Sequence, residues 1–269
     1  MNWKNFKGTA KKLDDIDLPK IGHQIGVGED EIHAVMDVEA AGSGFDSKGR
    51  PRILFERHHF YKHVPKDKLN RAIREGLAVK SWSRDTYGQD QYKLLERAMQ
   101  IDEHSALLSC SWGLGQIMGW NHTLAGYKTV EDMVLSFMED EENHLQAMIN
   151  FIVNAGLDDE LRRHDWAGFA RGYNGAGYKQ NRYDVKLANA FKKWQRIKDT
   201  PWNPDQPEPI EQPQIPTQEP AESVQEENGP TVPEEKKTTV REPVEEPQTI
   251  SQRLIEAFIK LISDVLKGK

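Results

Sequence analysis

The sequence has little that would staple or anchor it. Among 269 residues there is one cysteine, Cys110, which excludes an intrachain disulfide and any cysteine-based zinc cluster. It sits in the apolar run ALLSCSW, residues 106–112, and so reads as a small buried core residue and not as a nucleophile. No run of about 18 apolar residues occurs, which leaves no transmembrane helix of the usual kind. The opening stretch MNWKNFKGTAKKLDD lacks the apolar segment of a secretory signal, so the expectation is a protein made and folded in a cytoplasm. Only three of the 14 prolines precede residue 200.

Charge is unevenly placed. The whole chain carries a net −7, but residues 1–199 balance 29 acidic against 29 basic side chains. Residues 200–250 are net −9 and residues 251–269 net +2. The first 199 residues therefore have no electrostatic bias towards nucleic acid.

Composition divides the chain in three. Residues 1–199 are the candidate globular domain. Residues 200–250 hold 11 prolines with many Glu and Gln; such a stretch buries too little apolar surface to offset its ordering entropy and reads as a disordered linker. Residues 251–269, ISQRLIEAFIKLISDVLKGK with its preceding Ile, place Leu254, Ile255, Phe258, Leu261, Ile262, Val265 and Leu266 at helical spacing. Ser251 can cap this amphipathic helix and Gly268 marks its end.

The first 199 residues read as mostly helical, giving a mainly α (α+β) fold class. Ile32, Val35, Met36 and Glu39 share one helix face. DQYKLLERAMQI, residues 90–101, is a second amphipathic segment. Thr129 caps a third, long one, with Met133, Val134, Phe137, Met138, Glu141, Leu145, Met148, Ile149 and Ile152 at helical steps. A fourth spans roughly residues 184–197. One region differs: DSKG at 46–49 is turn chemistry and RILF at 52–55 is strand-like, so a small β-hairpin is expected inside the helical domain.

Candidate chemistry begins with two carboxylates. Glu39 closes a helix beside apolar residues, where burial and the negative end of the helix dipole both keep a proton on a carboxyl. Glu56 sits in ILFERHHF, residues 53–60, an apolar setting in which an acid needs a partner such as Arg57 or a histidine. A pair of carboxylates flanking a cleft is what glycosidic cleavage uses. Spacing alone also allows both to be structural. SWGLGQIMG, residues 111–119, has three glycines that permit close backbone approach; Ser111, Trp112 and Gln116 are candidates to bind substrate there, Trp112 by stacking on a sugar face. Tyr173 and Asn174, in RGYNGAGY at 171–178, suit a cleft wall or a surface turn. His58, His59 and His63 invite a metal reading, but on a strand adjacent histidines point to opposite faces. No metal or other cofactor is expected.

The order VEAAGSGF, RPRILFERH, SCSWGLGQIMGWNH and YNGAGY resembles the phage N-acetylmuramidase family of endolysins across residues 25–195. SWGLGQI is more distantly similar to a signature of goose-type lysozymes and lytic transglycosylases. YNGAG is similar to another of their signatures, with Gly172 and an added glycine as departures. The resemblance implies a lysozyme-like fold, peptidoglycan as partner, Glu39 as catalytic acid, Gln116 as a saccharide contact and Tyr173 as a hydrogen-bond partner of the acid. Glu56 is the candidate second carboxylate. The expected reaction is hydrolysis of the β-1,4 bond between N-acetylmuramic acid and N-acetylglucosamine. The competing readings are lytic transglycosylation, which leaves anhydromuramyl ends, and a non-catalytic wall-binding or tail module. By resemblance the enzyme acts at the wall after membrane permeabilisation. The terminal helix is expected to touch a membrane or outer envelope, or to self-associate.

Overall fold

The apolar stripe at residues 31–39 is a helix buried on one side. The computed structural model describes residues 3–39, 42–83, 85–175 and 177–205, without the side chains of Lys4 and Glu39. The expected terminal helix at 251–269, and the expected linker from residue 206 onward, lie outside the described residues.

Among the described residues the helices are α1 (Asp17–Gln24), α2 (Glu29–Glu39), α3 (Arg57–His63), α4 (Lys66–Arg74), α5 (Gln91–Met99), α6 (Glu103–Leu108), α7 (Val130–Glu139), α8 (Glu141–Asn154), α9 (Asp158–Arg162), α10 (Trp166–Asn174) and α11 (Tyr183–Trp194). The strands β1 (Ile53–Phe55), β2 (Cys110–Trp112) and β3 (Ile117–Met118) form one antiparallel sheet in that order. The fold is thus mainly helical with a small sheet.

Helix α2 starts with Glu29, Asp30 and Glu31, acids that suit the positive end of its dipole. Glu31 Oε2 accepts the Gly28 N–H at 2.9 Å, satisfying a donor that the helix start leaves free. Ile32, Ala34 and Val35 are buried, and α2 packs chiefly against α11 and α1. Asp37 Oδ2 takes the Lys193 ammonium at 2.8 Å and the Trp194 Nε1–H at 2.9 Å. His33 lies flat on the Trp194 ring, centroids 3.6 Å apart. The helix that ends in Glu39 is therefore clamped along its length.

The long periodic stretch at 129–152 is two helices, not one. Thr129 caps α7 by accepting the Asp132 N–H at 3.1 Å, as the sequence indicates. The chain then breaks at Asp140 (φ −146°, ψ 138°), which caps α8 through the Glu142 N–H at 2.8 Å. The break admits the N-terminal segment: Ala10 and Lys11 N–H groups donate to Met138 and Glu139 carbonyls, and the Glu141 N–H donates to Lys11. Those bonds satisfy backbone groups that helix ends leave open.

The turn at 46–49 forms as expected. Asp46 accepts the Lys48 and Arg50 N–H groups at 2.8 and 3.0 Å, and Phe45 bridges Pro51. Beyond the turn, β1 pairs with β2, with Ile53 opposite Trp112 and Phe55 opposite Cys110. At the far end, the Thr200 N–H still donates to Glu29 at 2.8 Å, and the Trp202 ring stands 5.4 Å from His23.

Candidate active site

Glu39 is the last residue of α2, and its side chain lies outside the described atoms. The loop leading away from it is well tied. Gly42 takes φ +87°, a left-handed value that suits glycine. Ser43, Gly44 and Phe45 then run across the start of α8. The Gly44 N–H donates to Glu141 Oε1, and Ser43 Oγ donates to the same oxygen at 3.1 Å.

The segment SWGLGQ is β2 and the tight turn into β3. Gly113 has φ +68° and donates its N–H to Arg52 at 2.8 Å. Gln116 has φ +49°, unusual for a residue with a side chain. Its amide folds back over the turn: Nε2 donates to Gly113 O at 2.8 Å and Arg52 O at 3.3 Å, and Oε1 accepts from Ser111 Oγ at 2.9 Å. Ser111 is fully buried and Gln116 partly exposed. The structure thus brings Ser111 and Gln116 together as one braced turn.

Trp112 corrects the reading of its indole as a cleft face. It is among the largest fully buried side chains, its Nε1–H donates to Leu107 O at 3.0 Å, and Phe6 packs on its ring. Its full burial leaves no free face for a sugar.

Glu56 is buried, 1 % exposed. Of the partners the sequence offered, a histidine is present and Arg57 is not. Tyr87 Oη donates to Oε1 at 3.1 Å, and His58 Nδ1 stands 3.4 Å from Oε2. Trp82 Nε1–H in turn donates to Tyr87 Oη at 3.1 Å. Arg57 turns away, to Asp85 at 2.6 Å. Glu56 is the residue before α3, and its backbone N–H donates to Ser109 O at 2.9 Å.

The histidines lie on that helix and not on a strand, so the opposite-faces argument does not apply. His59 and His63 are one turn apart with rings 6.1 Å apart, and Trp120 stacks on His59 at 5.9 Å. Burial, then the neighbouring His58, pushes the His59 pKa down to about 2. Among the described residues no group of three or more His, Cys, Asp or Glu side chains is placed to hold a metal ion.

Tyr173 and Asn174 form the last turn of α10, and both are buried. Tyr173 stacks on Phe169 at 5.3 Å and meets Phe151 edge-on at 5.8 Å. Gly175, at φ +74°, ends the helix. The Cys110 thiol is buried, and burial followed by the charge of Glu56 pushes its pKa up, which removes it as a nucleophile.

Two residues to which the sequence assigns no role meet here, on the first turn of α8. Glu141 holds the loop after Glu39. His144 Nδ1 accepts the Leu114 N–H at 3.1 Å and Nε2 donates to Phe137 O at 2.7 Å. A signal existed, since Glu141 falls within an otherwise apolar stripe.

The family model described as N-acetylmuramidase matches residues 29–195. Among curated proteins none matches. Among solved structures, the crystal structure of Burkholderia AP3 phage endolysin is similar at 34 % identity, with 70 % of this chain and 73 % of that chain covered and a TM-score of 0.63.

Proposed function

Because the chain belongs to the N-acetylmuramidase family, we propose that Glu39 is the acid with which it cleaves peptidoglycan. The protein is a peptidoglycan hydrolase, a glycosidase of the muramidase type, and the bond it cuts is the β-1,4 link between N-acetylmuramic acid and N-acetylglucosamine. The observation that carries the Glu39 assignment is its position. It ends a helix clamped by Asp37 and His33, directly before the loop fastened to α8. The negative end of a helix dipole favours the protonated form that a general acid needs.

In this mechanism Glu39 protonates the bridging oxygen while oxocarbenium character develops at the muramic acid, and water completes hydrolysis. Glu56 is the second carboxylate of the proposal. Its burial and its bond from Tyr87 suit stabilisation of positive charge better than activation of a water, which needs an open carboxylate oxygen. Gln116, partly exposed, is the proposed saccharide contact, with the buried Ser111 bracing it from behind and the buried Tyr173 and Asn174 supporting the site from the end of α10.

The likeness to a phage endolysin supports a lytic role. We place synthesis in the host cytoplasm and action at the wall once the membrane is opened. Residues 251–269 then serve as a contact for an anionic envelope, by the net +2 beside seven apolar residues. A chain ending at residue 205 that lyses intact cells as fast as the full chain would refute that role.

The deciding experiment is product analysis of purified peptidoglycan digested with wild type, Glu39→Gln and Glu56→Gln. Reducing muramic ends should dominate with wild type and vanish with Glu39→Gln. Dominant anhydromuramyl ends would indicate transglycosylation, and normal turnover by Glu39→Gln would remove Glu39 from the mechanism.

A further inference from the structure

Glu141 is a buried carboxylate, 5 % exposed, at the first position of α8. It gathers three segments. Oε1 accepts from the Gly44 N–H and from Ser43 Oγ, on the chain leaving Glu39. Oε2 accepts the Leu13 N–H at 3.4 Å and lies 3.7 Å from the Lys12 ammonium. Lys12 also reaches Ser43 Oγ and stands 4.8 Å over the Phe45 ring. One turn further along α8, His144 fixes Leu114 of the turn that carries Gln116.

Stability alone gives a weak account of this arrangement. Burying a carboxylate beside a lysine loses hydration that the attraction only partly returns, and an apolar residue of similar size often serves as well. What the carboxylate supplies is direction: it accepts from two donors of one short loop and so fixes the course of Ser43 and Gly44. Catalysis by a positioned acid is sensitive to displacement of about 1 Å, worth on the order of 100-fold in rate.

We propose that Glu141 is a positioning residue for the general acid, holding the Ser43–Gly44 backbone so that Glu39 meets the glycosidic oxygen. The inference rests on the reading of Glu39 as that acid.

The test uses the full chain and soluble peptidoglycan fragments, with Glu141→Ala, Glu141→Gln, Ser43→Ala and Glu39→Gln compared at a temperature where each is folded. Glu141→Ala should lower kcat by about 10-fold or more while KM stays within about twofold. Glu141→Gln keeps an acceptor oxygen for the Gly44 N–H and should restore kcat to within about threefold of wild type. Hydrogen exchange at the Gly44 amide should quicken in Glu141→Ala and not in Glu141→Gln. Wild-type kcat in folded Glu141→Ala, or equal losses in the Ala and Gln variants, would overturn the proposal. If Glu141→Ala does not fold, Ser43→Ala decides. It removes one donor to the carboxylate, and a kcat reduced about two- to fivefold at constant KM supports the proposal while an unchanged kcat refutes it. Turnover by Glu39→Gln would strike at the acid assignment. An inactive Glu39→Gln beside a fully active Glu141→Ala would strike at Glu141 alone.

Discussion

The Nδ1 of His144 accepts the backbone N–H of Leu114 at 3.1 Å, while its Nε2 donates to the Phe137 carbonyl at 2.7 Å. Both bonds together require a neutral ring with its proton on Nε2. Protonating Nδ1 would set a donor against a donor in a buried site. Burial accordingly lowers the His144 pKa to about 4, against a smaller upward pull from the Phe137 carbonyl and Glu141.

This predicts acid instability at moderate pH. The unfolded chain binds a proton at His144 near pH 6.5, whereas the folded chain does not until about pH 4. Stability from this group is complete above about pH 6.5 and is lost progressively as the pH falls towards 4. The loss is on the order of 3 kcal/mol from His144, and His59, lowered in the same direction, adds to it. Urea unfolding at pH 7, 6 and 5 should show falling midpoints at constant m-value. His144→Gln should be less stable at pH 7 but show a flatter pH slope. A wild-type curve flat from pH 7 to 5 would remove His144 as a buried neutral base.

A second prediction concerns Gly44. A β-carbon there would stand 2.2 Å from His144 Nδ1 and 3.0 Å from the Leu114 nitrogen. Neither neighbour can yield without breaking the bond between them. Gly44→Ala should cost about 1–3 kcal/mol as overpacking does, and should reduce turnover beyond the loss of folded protein. Gly88→Ala, where a β-carbon meets nothing within 4 Å, is the control and should leave both unchanged. Thermal melts and steady-state rates on the two variants check this.

The contrast between these glycines shows what the sequence carried and what it did not. The α2 stripe, the Thr129 cap, the turn at 46–49 and the strand at 53–55 depend on neighbours in sequence, and they were legible there. The break at Asp140 was hidden because apolar periodicity continues through it; its cause is the distant segment at residues 10–11. The fate of Trp112 was equally hidden. An aromatic beside three glycines reads alike whether it faces a groove or the core, and only its burial and its bond to Leu107 O in the fold settle its side. Glu56 was legible as an acid in need of a partner, but Tyr87 could not be named without the fold.

Trp112 supplies a third prediction. As a core residue whose indole bonds to Leu107 O, it should act on stability and not on substrate affinity. Trp112→Phe should lower stability by about 1–3 kcal/mol through lost volume and a lost buried hydrogen bond, with KM within about twofold of wild type. A large rise in KM at unchanged stability would return the indole to the cleft.

The last prediction separates the bracing of its turn by Gln116 from the contact with substrate proposed for it. Its φ of +49° strains any residue with a β-carbon, so Gln116→Gly relieves strain that Gln116→Ala keeps. Both variants lose the bonds to Gly113, Arg52 and Ser111. The Ala variant should therefore be the less stable by about 0.5–1 kcal/mol. Both leave the buried Ser111 hydroxyl without its acceptor, at about 1–3 kcal/mol. Adding Ser111→Ala should recover part of that, giving a double-mutant coupling of about 1 kcal/mol. Affinity obeys a different rule. A bracing role alone lets the Gly variant, with its turn relaxed but intact, keep its KM, whereas a saccharide contact raises KM equally in Gly and Ala. Equal KM increases at unequal stabilities are the expected result, because the amide is partly exposed on the turn that His144 fixes through Leu114.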